Sequence, residues 1–409
     1  MRHAWFAAAV TSALLISATL TLAGTALAAS GKYDPGATDT TIKIGNTFPY
    51  SGPVSVTAPQ VRQMKAYFDY LNDQKGGING RKIDFVSLDD GYQPPKTVEL
   101  TRRLVEQDKV LLMFGSEGTP TQVAVEPYLN SRKIPQLFVL TGSNSLIDPK
   151  KYPYTVATGS SYGFEGLIWA KYILAEKPNA KIGIFYQDDD FGSDHIAGFM
   201  AALGEKNKGM VVAKASYAVT DPTVTSQIIS LKSAGANTFV LFAQSRAAAQ
   251  AISVARDQAG PDAMIFVPYV ASAMSVLGAV GGDKLKGVLS TDTVKDTTDP
   301  TWANDQGVKD YVALIEKYVP ESDRASDRSS AGGYTAAQAM AEVLRRAGDD
   351  LTRENIMKIV THMDHWSFPI YLPGISLDTT PDNLFPMRVT YMKRFDGTRW
   401  AIIGKPISE

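Results

Sequence analysis

The chain has no cysteine among its 409 residues, which removes disulfide staples and thiol chemistry from consideration. Its fold must rest on its core alone, and a chain of this length is ample for that. Strong charge of either sign is missing too: 41 Lys and Arg stand against 42 Asp and Glu. Such balance argues against nucleic acid or an anionic membrane as the main partner. Neither GxGxxG nor GxxxxGKS/T occurs. The turn after the first expected strand, "NTFPYSGPV", has prolines and a tyrosine where pyrophosphate would need glycines. A bound nucleotide is therefore not expected, and neither is any other cofactor.

What is there begins with Arg2, His3 and an apolar stretch from about Ala4 to Leu27, closed by Ala26-Leu27-Ala28. This is the pattern of a cleaved secretory signal over residues 1–28. The alternative, an anchoring transmembrane helix, fits less well, because Thr, Ser and Gly interrupt the stretch and small residues end it. With no cysteine after the signal, a lipid-anchored form is not expected. The mature chain would then carry 40 basic and 42 acidic residues, a formal charge of −2, since Arg2 is the only Lys or Arg removed.

From Thr41 onward strand and helix patterns alternate, as in parallel sheets covered by helices. "TIKIGNTF", "KIDFVSL", "VLLMFG" and "IPQLFVL" read as strands. Between them, Val61, Met64, Phe68 and Leu71 mark one helix, ending at Gly76-Gly77, and Val98, Thr101, Leu104 and Val105 a second. Thr119 and Pro120 open a third as a capping hydroxyl and a first-turn proline, and Pro127 should bend or restart it.

After Lys150 the rhythm repeats: "KIGIFY", "VVAKASY", "TFVLFA", "AMIFVPY" and "GVLST" as strands. Helices are expected near 192–205, 223–234, 246–259, 272–280, 303–318, 331–347 and 352–361. "MRVTYMKRF", Asp396-Gly397 and "WAIIG" read as a terminal hairpin. The fold class is α/β, with two such units and a cleft between them as the natural binding place.

Three motifs could carry chemistry. "GSSYG" at 159–163 matches the GxSxG nucleophile elbow, with Ser161 as nucleophile and His195, His362 or His365 as base. The strand before it is weak, and no HGGG-type stretch supplies an oxyanion donor, so a secreted serine hydrolase is the rival reading. "HMDH" at 362–365 places two histidines three apart without a third ligand, so no metal is expected. "DDDFGSD" at 188–194 lacks the DxDxDG frame of a calcium loop and reads as a helix cap in solvent. The loops "GSEGTPT" and "LTGSNS" remain. Both lie at carboxyl ends of first-unit strands, and their hydroxyls and helix-start amides suit a carboxylate.

Residues from about Thr40 to Gly397 resemble the periplasmic solute-binding proteins of the leucine/isoleucine/valine-binding type. The resemblance is carried by "SGPVS", "GGINGRKIDFVSLDDGYQPPKTVELTRRLVEQDKV", "FGSEGTPTQVAV", "IPQLFVLTGS" and "IFYQDDDFG". It implies two Rossmann-like lobes joined by three crossing strands, an N-terminal lobe of 40–157 plus 291–366 and a C-terminal lobe of 158–290 plus 367–409. It also implies a non-enzymatic periplasmic monomer that closes on a small ligand and delivers it to an ABC permease in the inner membrane. By the same resemblance, Thr119, Thr141, Gly142 and Ser143 hold the ligand carboxylate, while Phe191 and Gln244 to Arg246 face the ligand from the other lobe. Tyr269 stands where amino-acid binders place an acid for the ligand ammonium, which would leave that ammonium unpaired. The aromatic residues Tyr50, Tyr92, Tyr162, Phe191 and Tyr269 suit a flat ring instead. Ser51 and Gly118 complete the candidate set. The expected ligand is an aromatic acid of the benzoate or hydroxycinnamate kind, with a branched-chain or other amino acid as the alternative. "GTPT", "YLN" and "KIPQLFV" also resemble members associated with aromatic-acid uptake.

Overall fold

A computed structural model describes residues 31–327 and 330–409; the expected signal segment lies outside the described residues. Two sheets dominate. The first has the spatial order Lys82–Asp89, Thr41–Phe48, Met113–Phe114, Gln136–Val139, Thr155–Ala157, all parallel. The second has the order Val211–Tyr217, Ile182–Gln187, Thr238–Phe242, Met264–Phe266, Leu289–Asp292, followed by the antiparallel strands Val389–Phe395 and Trp400–Ser408. In each sheet the first strand of the unit is flanked by the second and the third. The strand order therefore reverses beside it, and at such switch points the loops leaving the carboxyl ends diverge and open a crevice. In the first sheet the loop 115–118 leaves that point, and in the second sheet residues 243–244 do.

The strands are near-continuous apolar runs because both faces are covered. Alternate residues go to opposite sides: Phe239 and Leu241 join one cluster with Ile228, Leu231 and Ile252. Their neighbours Val240 and Phe242 join another with Trp169, Ile173 and Phe199. In the first unit, Ile42, Ile44 and Phe114 pack with Met64, Phe68 and Met340. Met113 packs with Leu104, Val125 and Leu129 on the other side. The helix Pro59–Gln74 buries Val61, Met64 and Phe68, as its spacing requires. It ends at Gln74 with Lys75 as C-cap, and just beyond, Gly77 takes φ +92, where a Cβ would overlap the Arg81 carbonyl.

The chain passes between the sheets between Ala157 and Tyr162, between Asp292 and Gln306, and between Met387 and Val389. Leu372 N–H donates to Thr293 O (3.0 Å) and Lys295 N–H to Ile370 O (2.9 Å), which joins the second passage to the segment ahead of the third. Ile370, Tyr371, Leu377, Leu384 and Met387 lie in the first unit's cluster, although the sequence reading assigns 367–409 to the second lobe. Nothing local in 367–387 announces its partner, because that stretch has neither helical nor strand period.

Local readings also meet their limits. The helix expected near 272–280 is a series of short turns, Tyr269–Ala271, Met274–Leu277 and Gly278–Val280. Helix Thr119–Ser131 runs through Pro127 without a break. The terminal hairpin forms, with its second strand extending to Ser408. Lys32–Tyr33 pairs with Asp350–Leu351, a contact no local pattern encodes. Among the described residues no helix is long and apolar enough to cross a membrane.

Candidate functional site

The loop 115–118 runs from Met113–Phe114 into helix Thr119–Ser131. Its N-cap is Gly118 at φ +104, not Thr119, and no side chain caps it. Thr119 is the first helical residue, and its buried hydroxyl instead meets that of Thr141 at 2.7 Å. Ser143 N–H donates to Thr141 Oγ1 (3.2 Å). A pair of hydroxyls that share one hydrogen bond keeps a second proton for a guest. The Tyr162 phenol faces both threonines and the Gly142 amide, which offset in part the burial that pushes its pKa well up. Gly142 is needed for this approach: a Cβ there would come within 2.8 Å of the Tyr162 ring.

Tyr162 is held from the second unit. Phe191 meets it edge-on at 4.9 Å, and His195 stacks on it at 4.2 Å. His195 Nδ1 faces Phe191 O (2.8 Å) and its Nε2 faces Glu165 Oε2 (3.1 Å). Glu165 Oε1 accepts from Tyr269 N–H (3.0 Å) and from Thr291 Oγ1 (2.6 Å). One buried network thus fixes Tyr162, the backbone of Tyr269 and the strand Leu289–Asp292 together. Sequence reading considered His195 only as a hydrolase base and gave Glu165 no role. Ser161 Oγ accepts from Phe164 N–H as a helix N-cap, so its hydroxyl has a structural task.

Tyr92 approaches from the first unit. It takes φ +60, with its N–H donating to Asp90 Oδ1 (2.9 Å). Gln244 Nε2 donates to its hydroxyl at 3.3 Å, bridging the two switch points. Gly118 permits the ring: a Cβ there would overlap it. Burial, then the Asp189 and Glu117 charges, push the Tyr92 pKa well up.

Between the units lies a cavity of about 150 Å³, with Glu117, Thr141, Gly159, Tyr269, Lys393 and Trp400 in its wall. Lys393 Nζ bonds Asp292 Oδ2 (2.6 Å) and Ser272 Oγ (2.8 Å) and lies 4.7 Å from the Trp400 ring centre. Glu117 carries no signal in the sequence beyond its place in the loop "GSEGTPT". It is 5% exposed, and burial, reinforced by Asp90, pushes its pKa up to about 8.

The structure thus gathers Tyr92, Gly118, Thr119, Thr141, Gly142, Tyr162, Phe191, Gln244 and Tyr269 around one interface. Other candidates point elsewhere. Tyr50 is 42% exposed, and its hydroxyl donates to Ser87 Oγ (2.8 Å). Ser51 Oγ donates to Asp89 Oδ2 (2.6 Å), and the exposed Arg246 donates to Asp221 O (3.2 Å). Ser143 Oγ donates to Asp194 Oδ2 (2.6 Å), which also accepts from Ser145 N–H (3.2 Å). Asp194, read from sequence as solvated, therefore ties its helix to the first unit's loop, while Asp189 does cap that helix. His362 and His365 diverge: His362 Nδ1 faces Lys358 O, and exposed His365 sits between Asp364 and Asp378.

The sequence profile described as periplasmic binding protein matches residues 41–397. The Leu/Ile/Val-binding protein homolog 7 of Brucella abortus is 23% identical over 316 residues, 75% of this chain and 77% of that protein. The chain also resembles the solved structure of a branched-chain amino acid ABC transporter protein from Thermus thermophilus with bound valine. That match has TM-score 0.79 and 19% identity and covers 90% of this chain and 97% of the other. A solute binding protein from R. palustris in complex with 4-hydroxybenzoate matches with TM-score 0.73 and 21% identity over 90% and 96% of the two chains.

Proposed function

The chain belongs to the periplasmic binding protein family, the branched-chain amino acid type of solute-binding proteins for ABC transporters, and on that premise we propose that its cleft captures a small aromatic carboxylate. The class of ligand is a benzoate or hydroxycinnamate, handed on to a permease in the inner membrane without chemical change. The observation that carries this reading is the buried Thr119–Thr141 hydroxyl pair at 2.7 Å with Tyr162 facing it. Hydroxyls with protons to spare meet a carboxylate, and Tyr269 in the cavity wall offers its ring to a flat body, with the buried Tyr92 and Tyr162 nearby. The complexes of family-fold proteins with 4-hydroxybenzoate and with benzoate are compatible with it. An amino acid is the second reading, favoured by the buried Glu117 carboxyl, which stands within the same cavity wall and could meet an ammonium.

Binding would proceed by closure. The guest docks on the first unit's loops, and the second unit then adds its contacts, so the closed arrangement is favoured by the difference in affinity between the two. A thermal-shift screen of the mature protein tests the ligand class. Benzoates and hydroxycinnamates should raise the melting temperature; stabilisation by leucine and valine with none by benzoates would overturn the aromatic reading. Ester turnover lost in Ser161→Ala would revive the hydrolase.

A further inference from the structure

The cavity between the units holds one carboxyl group that the protein leaves unanswered. Glu117 is buried, and its Oε2 has no hydrogen-bond partner among the described residues. The groups around it do nothing to favour a charge. Asp90 opposes ionisation. The phenols of Tyr92, Tyr162 and Tyr269 are close enough that Glu117, if charged, would oppose their ionisation, and as neutral groups they bring no positive charge to pair with it.

Two lysines line the same cavity, but neither is available. Lys393 is paired with Asp292, and Lys295 Nζ bonds Asp305 Oδ2 (2.6 Å) and Pro369 O (2.7 Å). Asp296, also in the wall, accepts from Thr298 N–H and its hydroxyl. With no cation to meet it, a buried carboxyl stays neutral and becomes a donor. What it lacks is an acceptor, and that is what a carboxylate ligand carries.

We propose that Glu117 is a specificity-determining residue that, as a neutral acid, donates a hydrogen bond to the carboxylate of the guest held beside Thr141. The inference rests on the reading of this cleft as a carboxylate site. A neutral carboxyl donating to a carboxylate makes one of the shorter and stronger hydrogen bonds available to a side chain. It would also discriminate. A ligand presenting an ammonium there would need Glu117 ionised, and the amide of the same acid would accept more weakly.

Calorimetric titration of the purified protein with benzoate, benzamide and leucine, at pH 6.5, 8 and 9.5, tests this. The expected Kd for benzoate is constant at low pH and rises about tenfold per pH unit above 8, as the donor is lost. Glu117→Gln, which keeps size and an N–H donor, should stay within about threefold at pH 6.5 and lose the pH dependence. Glu117→Leu should cost about tenfold or more, consistent with a lost charge-assisted bond.

A benzoate Kd that is flat across the pH range and unchanged in Glu117→Gln overturns the inference while leaving the carboxylate reading intact. Leucine binding that tightens with pH and vanishes in Glu117→Gln overturns it in favour of an ammonium partner. Heat release from neither acid at any pH overturns the carboxylate site itself. If Glu117→Leu fails to give a cooperative melt, the pH profiles of the unsubstituted protein and Glu117→Gln decide.

Discussion

Thr119 stands in the first turn of a helix, where free amides invite a side-chain cap, yet its hydroxyl turns to Thr141. Thr119→Ala would strand Thr141 and remove one donor from the guest. Benzoate affinity should fall about tenfold, the size of one charge-assisted bond, and benzamide affinity by less. Equal losses, measured by titration, would remove Thr119 from the anion role. Glu126 offers a separate test in the same helix. It is buried with Oε1 unpartnered, and burial pushes its pKa from 4.5 up to about 8. A carboxyl that binds its proton more tightly when folded stabilises the fold below pH 4.5, and that stability is lost as pH rises toward 8. Melting temperature should therefore decline across this window, and Glu126→Gln should flatten the decline. That both hydroxyl-bearing loops lie on one side of the first sheet was legible, because each follows a buried parallel strand of that unit, and the structure brings Thr119 and Thr141 together. The burial of Glu117 was not: a single acid in a loop looks solvated until the fold covers it. The partners of Tyr50 and Ser51 were not legible, because Ser87 and Asp89, which engage them, lie on a neighbouring strand.

At the scale of elements, glycine decides how closely parts approach. Gly118 adopts φ +104 against the Tyr92 ring, and a Cβ would also come within 2.8 Å of Thr121 Oγ1. Gly118→Ala should cost on the order of 2 kcal/mol in unfolding experiments, from backbone strain and displaced neighbours, and weaken ligand binding. Full binding at unchanged stability would show that the loop yields. The helices Tyr162–Glu176 and Asp190–Asn207 make a comparable contact, where a Cβ on Gly198 would overlap the Gly163 carbonyl. Long strands and helices were readable because each carries its own period, and the runs "TFVLF" and "IGIFY" declare two covered faces. The two-residue strand Met113–Phe114 was readable too, within the run "VLLMFG". The stretch 272–280 was not, because it is broken by the turns that carry Ser272 to Lys393.

For the whole molecule, the two units are tied by a few polar bonds near the cleft as well as by the chain passages. Tyr92–Gln244 and Asp194 with Ser143 and Ser145 are such ties. Asp194→Ala would leave the serine loop unpaired, so small-angle scattering should report a larger radius of gyration without ligand, and affinity should fall several-fold. Identical scattering and affinity would mean the tie does not bias closure. The two-unit architecture was legible from the repeated strand-helix rhythm. The packing of Ile370 to Met387 was not, since it depends on which core the passages reach. Trp400 carries one more consequence. Its indole N–H donates to Ser272 O (3.0 Å), its face meets the Lys393 ammonium, and its side chain forms part of the cavity wall. The molecule is thereby equipped with an optical gauge: emission from this indole should shift in wavelength or intensity as a guest arrives, giving occupancy in real time without a dye.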